Sequence, residues 1–264
     1  MGNTQPHPPT LATFAKVLPE YGKFRFDRTL EAARKDIGCH PNLADPEHAK
    51  RLRIWLNQWL CRIGYPGTET DVFVGSLTAW WDSGKDTLPP EGKRLAVLTD
   101  TDLQVISSAY GDLYIRPAAI SKTSRIRRVG PTAAAKLLYF VRPYAVTAWD
   151  KAISIDMGGG HDQAAFLRHL TTCRSWAFSL EAEGWELGLK PDEIGPYLDR
   201  PASSVAKLID EWLYATITGG LGPGEPGHPA NRGTRSRAGI AREPVLASAT
   251  VHTIALTDAL SAVR

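Results

Sequence analysis

The chain has little cysteine: Cys39, Cys61 and Cys173 are three scattered residues in 264. They make no Cys-x-x-Cys pair, no zinc-ligand spacing and no iron–sulfur run, so nothing here builds a metal scaffold. Buried thiols in a reducing, intracellular setting are the expectation. Long apolar runs are also missing. No stretch approaches a membrane span, and the polar, Pro-rich start from Met1 to Thr10 does not read as a signal peptide, so a cytoplasmic protein without membrane contact is expected. The histidines (His7, His40, His48, His161, His169, His228, His252) form no ligand pair. His161 and His169 are eight residues apart, two helical turns, which does not suit one metal. No metal, no organic cofactor and no internal repeat is expected.

What is present is ordinary in bulk. Hydrophobic content of 43% and charged content of 22% are those of a soluble globular protein. A length of 264 residues suffices for one large domain or two small ones. A net charge of +3 permits a nucleic-acid partner without demanding one. The distribution of that charge is less ordinary. The 37 residues from Leu113 to Trp149 hold seven cations (Arg116, Lys122, Arg125, Arg127, Arg128, Lys136 and Arg142) and no Asp or Glu. Asp150 follows at once.

Apolar spacing and capping residues predict a mainly α protein. Asp45-Pro46-Glu47 reads as a helix start, and Leu52, Trp55, Leu56, Trp59, Leu60 and Ile63 form its stripe up to Gly64 and Pro66. Asp71 to Trp81 reads as a helix, with loops at Ser83-Gly84-Lys85 and Pro89 to Gly92. Leu95 to Tyr110 restarts a helix at Thr99 or Asp100. Pro117 to Arg127 is read as a short helix, followed by the turn Val129-Gly130-Pro131-Thr132 and a helix from Pro131 to about Val141. A further helix begins near Asp150 and Gly158-Gly159-Gly160 breaks the chain. His161 to Leu180 has helical spacing with a break at Thr171-Thr172, and Ser203 to Thr216 is the last good helix. Residues 11–34 show few period signals. Residues 1–10 read as a disordered tail, 219–244 as a Gly/Pro/Arg-rich flexible linker, and 245–264 as a weakly amphipathic segment without a place.

The glycine turn carries a physical expectation. Two short helices joined by an apolar-Gly turn leave backbone N–H groups unpartnered at the second helix's start, and these favour an anion. Gly130 lets a backbone approach, Pro131 pre-sets the helix, and the flanking Arg125, Arg127 and Arg128 hold phosphate without reading sequence. An ordinary corner with a solvated basic face accounts for the same residues equally well.

The segment from Val129 to Ile153 resembles the signature of the helix–hairpin–helix DNA glycosylase superfamily. Gly130 matches the second hairpin glycine, Val129 the apolar residue before it, and Ile126 the leading leucine. Ala133 and Ala134 match the small residues near the helix start. Asp150 lies 20 residues past Gly130, where the family carries its aspartate. The segment most closely resembles bacterial proteins with an 8-oxoguanine-DNA-glycosylase-like fold. The resemblance covers roughly residues 120–155, and it departs from the pattern where Arg127 and Arg128 replace the usual Pro and Gly of the turn. It implies two helical lobes with a helix–hairpin–helix core over residues 11–218, between the tails read from composition, with a double-stranded DNA partner; a monomer is expected.

The resemblance also implies roles. Asp150 would stabilise the oxocarbenium-like sugar and orient or deprotonate water. As an N-cap it has a plain structural role as well. Bifunctional members place a lysine nucleophile where Thr132 stands here, and without that amine the implied enzyme hydrolyses the N-glycosidic bond without coupled strand cleavage. Lys136, one turn further on the same face, is a weaker substitute for it. Trp80, Trp81, Tyr139, Tyr144 and Trp149 are available aromatics, each better explained as core than as a base pocket. The alternative is a non-catalytic helix–hairpin–helix DNA-binding protein, and a third is an interaction scaffold with incidental basic charge.

Overall fold

Helical periodicity dominates the sequence, and helices are what form. A computed structural model describes residues 8–21, 26–38, 40–64, 71–121 and 123–219. In order they build α1 (Leu11–Tyr21), α2 (Phe26–Ile37), α3 (Pro46–Gln58), α4 (Asp71–Gly84), α5 (Asp100–Ile115), β1 (Pro117–Ile120), β2 (Ile126–Arg128), α6 (Pro131–Val141), α7 (Lys151–Asp156), α8 (Gln163–Glu186), α9 (Ile194–Tyr197) and α10 (Val205–Leu213). Single 3₁₀ turns stand at Lys85–Thr87 and Leu95–Val97, and a π-helical turn Tyr214–Thr218 continues α10. The expected linker and C-terminal segment beyond Gly219, most of the expected N-terminal tail, Cys39, Pro66 and Lys122 lie outside the described residues.

The caps carry most of the boundaries. Asp45 accepts from Glu47 N at 2.8 Å with Pro46 at the first position of α3. Thr99 and Asp102 close a reciprocal capping box on α5. Asp150, Asp162 and Ser204 cap α7, α8 and α10, each by one side-chain oxygen that accepts from a backbone N–H of the first turn.

Several expectations change. The stripe from Leu52 to Ile63 does not stay helical: α3 ends at Gln58, and Leu60 and Arg62 take left-handed φ of 59° and 55°. The Asn57 side chain receives Ile63 N at 2.7 Å and donates to the carbonyls of Ile63 and Gly64, fixing the reversal and leaving Leu60 74% exposed. Ser83 and Gly84 belong to α4 rather than to a loop. Helix α8 starts at Gln163 and runs unbroken through Thr171, whose hydroxyl donates back to Leu167 O at 2.9 Å. Segment 11–34, where the period was unclear, holds α1 and most of α2.

The largest change lies at Pro117 to Arg127, which is a β-hairpin and not a helix. β1 and β2 pair antiparallel with Ala119 opposite Arg127 and Ile120 opposite Ile126, and a bulge falls between Pro117 and Ala119. Ser121 Oγ accepts from Arg125 N at 3.0 Å, Ser121 N donates to Arg125 O at 2.9 Å, and Ser124 takes φ +57°. Hydroxyl-to-backbone bonds of this kind compete with helix, and the β-branched Ile120, Thr123 and Ile126 favour the strand. β1 turns Ala118 and Ala119 onto α4, while β2 stays wholly exposed.

The helices share one continuous core. It runs from Leu11 on α1 through Trp55, Trp80, Tyr110, Leu138 and Phe166 to Leu213 on α10. His169 lies in it, within 3.0 Å of the Thr147 hydroxyl, and burial lowers its pKa to about 4. A depressed histidine pKa means that the unfolded chain takes up a proton first. Stability should therefore fall by up to about 3 kcal/mol as pH drops from about 6.5 through 4. Urea unfolding midpoints should show that slope in the wild type and a flatter one in His169→Gln; identical slopes would remove His169 from the account.

Candidate active site

The turn that opens α6 comes first. Gly130 adopts φ +79°, ψ 166°, a region open to glycine and strained for other residues, and nothing lies within 4 Å of where a Cβ would stand. The need for glycine is therefore conformational, and the space above the turn is open. Val129 N donates to Arg116 O at 2.9 Å and Gly130 N to Tyr114 O at 3.0 Å, tying the turn to the end of α5. Those two N–H groups are spent, Pro131 has none, and no side chain caps α6, so a ligand at the turn would meet only the amides just inside the helix. Gly130→Ala should cost about 1–3 kcal/mol from backbone strain alone. Chemical denaturation would show it, and a neutral result would mean that the turn relaxes easily.

The residues expected to grip phosphate separate into two sets. Arg125, Arg127 and Arg128 are exposed on the β-hairpin, whereas Val129 is buried beneath the turn and Pro131 is half-buried. Thr132 is half-buried in the first turn of α6, where the resemblance places a lysine.

Lys136 turns inward. Every residue of α6 from Ala133 to Val141 is buried, and Lys136 is 7% exposed. Its ammonium nitrogen sits 3.5 Å from the centroid of the Trp59 ring, and no hydrogen bond reaches it among the described residues. Burial lowers its pKa to about 8, reinforced by Lys207 and opposed by Cys61, Asp210 and Asp150. Cys61 in turn has its thiol pushed up by burial and pulled back by Lys136.

Asp150 is half-buried at the start of α7. One carboxylate oxygen accepts from Ile153 N at 2.9 Å, the N-cap bond. The other accepts from the hydroxyl of Thr218 at 2.9 Å, at the end of the π-helical turn. Its charge is felt by Lys136 and by Tyr214, whose phenol is pushed up by burial and by Asp150 and Asp210. The capping aspartate and the π-helical turn thus meet through the Thr218 hydroxyl, and the charge of the aspartate reaches the amine of α6.

Behind them lies a charged cluster that the sequence did not announce. Lys207 on α10 is buried, with its ammonium 2.9 Å from Asp210, 3.1 Å from the Tyr21 hydroxyl and 3.8 Å from Glu211. Burial opposes its charge, but Asp210, Tyr21, Tyr139 and Glu211 overcome it and raise the pKa well above the usual lysine range. Arg200 and Ser203 bond Glu211, each at 2.9 Å. Lys207 and Arg200 thus meet Asp210 and Glu211, and of the carboxylates Asp210 acts on Lys136 more strongly than Asp150 does. In the sequence Lys207, Asp210 and Glu211 share one helical face at i, i+3, i+4 spacing, the ordinary mark of a solvated stripe. The only available signal was that this charged face lies on a helix apolar everywhere else.

The aromatics fall out as core rather than base platform: Trp80, Trp81, Tyr139 and Trp149 are buried, and Tyr144 alone is exposed. Among the described residues no group of His, Cys, Asp and Glu could hold a metal ion, and no helix is long and apolar enough to cross a membrane. Comparison with known proteins adds no relative, since no family model, no curated protein and no solved structure matches the chain.

Proposed function

We propose that this chain is a DNA N-glycosylase that hydrolytically releases a damaged or modified base from duplex DNA. Its helix–hairpin–helix-like core would be α5 and α6, with the β-hairpin inserted between them. The observation that carries the reading is the place of Asp150, which caps α7 with one oxygen and meets Thr218 with the other, in a chain where the Gly130 turn opens α6 beside three exposed arginines. Lys136 is buried and its pKa is lowered, and groups of that kind concentrate where chemistry is done.

In the proposed reaction the bond between the sugar C1′ and the base nitrogen breaks and its electron pair leaves with the base. Asp150 stabilises the cationic sugar and accepts the proton of the water that attacks C1′. The exposed bond to Thr218 is the one the carboxylate releases or shares in doing so. Duplexes carrying different modified bases, incubated with the protein and then with hot alkali, should break at the vacated site.

A second reading is favoured by one observation, the buried Lys136 with a pKa of about 8. Such an amine is half unprotonated at about pH 8 and mostly free above it, and in that form it can condense with an aldehyde. Hydrolysis by Asp150 alone predicts no covalent adduct when abasic DNA is incubated with borohydride. An adduct lost in Lys136→Ala, and rising in yield through pH 8, would establish coupled lyase chemistry at Lys136 instead. The sign follows from the pKa: below about 8 the amine is mostly protonated and unreactive, above it mostly free.

A further inference from the structure

We infer that the β-hairpin Pro117–Arg128 is a wedge whose isoleucine pair, Ile120 and Ile126, enters the base stack of bound duplex DNA while the adjacent arginines hold the phosphates. The inference rests on the DNA reading above and adds to it the element that opens the duplex.

Three features of the hairpin support it. The first is rigidity. β1 is anchored by buried Ala118 and Ala119 packed on α4, the base of β2 is tied to α5 through the Val129 and Gly130 amides, and the turn is closed by the Ser121–Arg125 bonds. A segment so held can push against a stack without folding back.

The second feature is the apolar pair itself. Ile120 and Ile126 are directly opposite one another and 37% and 61% exposed. A single exposed isoleucine needs no account, but an exposed cross-strand pair next to the hairpin turn is a compact apolar ridge. The third is charge. Arg125 and Arg128 are exposed on either side of Ile126, and the chain from Leu113 to Trp149 contains no acidic residue to repel phosphate. Apolar side chains inserted between base steps, with arginines on the flanking backbone, are how proteins kink and unstack a duplex. Basic residues on an exposed edge strand also serve to block edge-to-edge pairing, and that simpler role needs no isoleucine ridge.

The test uses the full chain and a duplex carrying 2-aminopurine at its centre, read at saturating protein. Unstacking by the wild type should raise fluorescence roughly threefold or more. The Ile120→Ser/Ile126→Ser variant, altered only at exposed positions, should keep duplex affinity within about threefold because its phosphate contacts remain. Its fluorescence should fall back to that of free duplex. Arg125→Ala/Arg128→Ala should instead weaken binding and reduce the slope of log affinity against log salt by about 2. If the wild type binds without brightening the probe, or the isoleucine variant brightens it equally, the wedge is wrong and the DNA reading stands. If the wild type does not bind duplex at low salt, both fall together.

Discussion

Replacing Lys207 by methionine is expected to cost about 3–5 kcal/mol of stability, because it leaves the buried carboxylates of Asp210 and Glu211 without the ammonium between them. The size follows from an asymmetry. A buried pair gains little over an apolar replacement, but half of one is an unpaired charge in a low dielectric. Arg200 still holds Glu211, so Asp210 bears most of the loss. Removing both partners, as Lys207→Met/Asp210→Leu, should recover much of the stability. The single variant should also raise the pKa of Lys136, since Lys207 is one of the groups that depress it. Urea unfolding of the two variants is the check, and a single variant within about 1 kcal/mol of wild type would mean that the cluster is hydrated in solution.

Asp150→Asn is expected to lower base release by about 10²- to 10⁴-fold, the usual contribution of a positioned acid–base group. Asparagine caps helices about as well as aspartate, so the bond to Ile153 N can be kept and only the charge is lost. Stability should hardly change. That separates the two roles of the residue: a cap alone predicts full activity in Asp150→Asn and about 1 kcal/mol lost in Asp150→Ala, whereas a catalytic carboxylate predicts an inactive, well-folded Asp150→Asn. Thr218→Val should fall between them, with slower turnover at unchanged substrate affinity, because it frees one carboxylate oxygen without touching its charge.

Much of the helical framework was legible, because caps and apolar spacing are local signals. Asp45-Pro46, Thr99 with Asp102, Gly130-Pro131 and Asp150 all start helices where their chemistry places them. What misled was context. Residues 117–127 carry no strong period, and the hydroxyl-stabilised turn and packing of Ala118 and Ala119 on α4 decide for a hairpin. The stripe at Leu52 to Ile63 is genuine in spacing, but the Asn57 side chain reverses the chain inside it. Asp150 and Lys136 were singled out from their places relative to the Gly130 turn; Asp150 is a helix cap bonded to Thr218, and Lys136 is buried over the Trp59 ring. The charged cluster at Lys207, Asp210 and Glu211 was not legible, because a buried charged face and a solvated one have the same spacing along a helix. Only the partners brought by Tyr21 and Arg200 distinguish them.

The most direct measurement is base release by the wild-type chain from a panel of duplexes, each with one modified base, analysed with and without hot alkali. The account predicts that for at least one duplex the strand breaks at the modified position only after alkali, as hydrolytic release leaves an intact abasic strand. Tight binding to the duplexes with no alkali-labile site in any of them would contradict it, and would leave a DNA-binding protein whose Asp150 does no more than cap a helix.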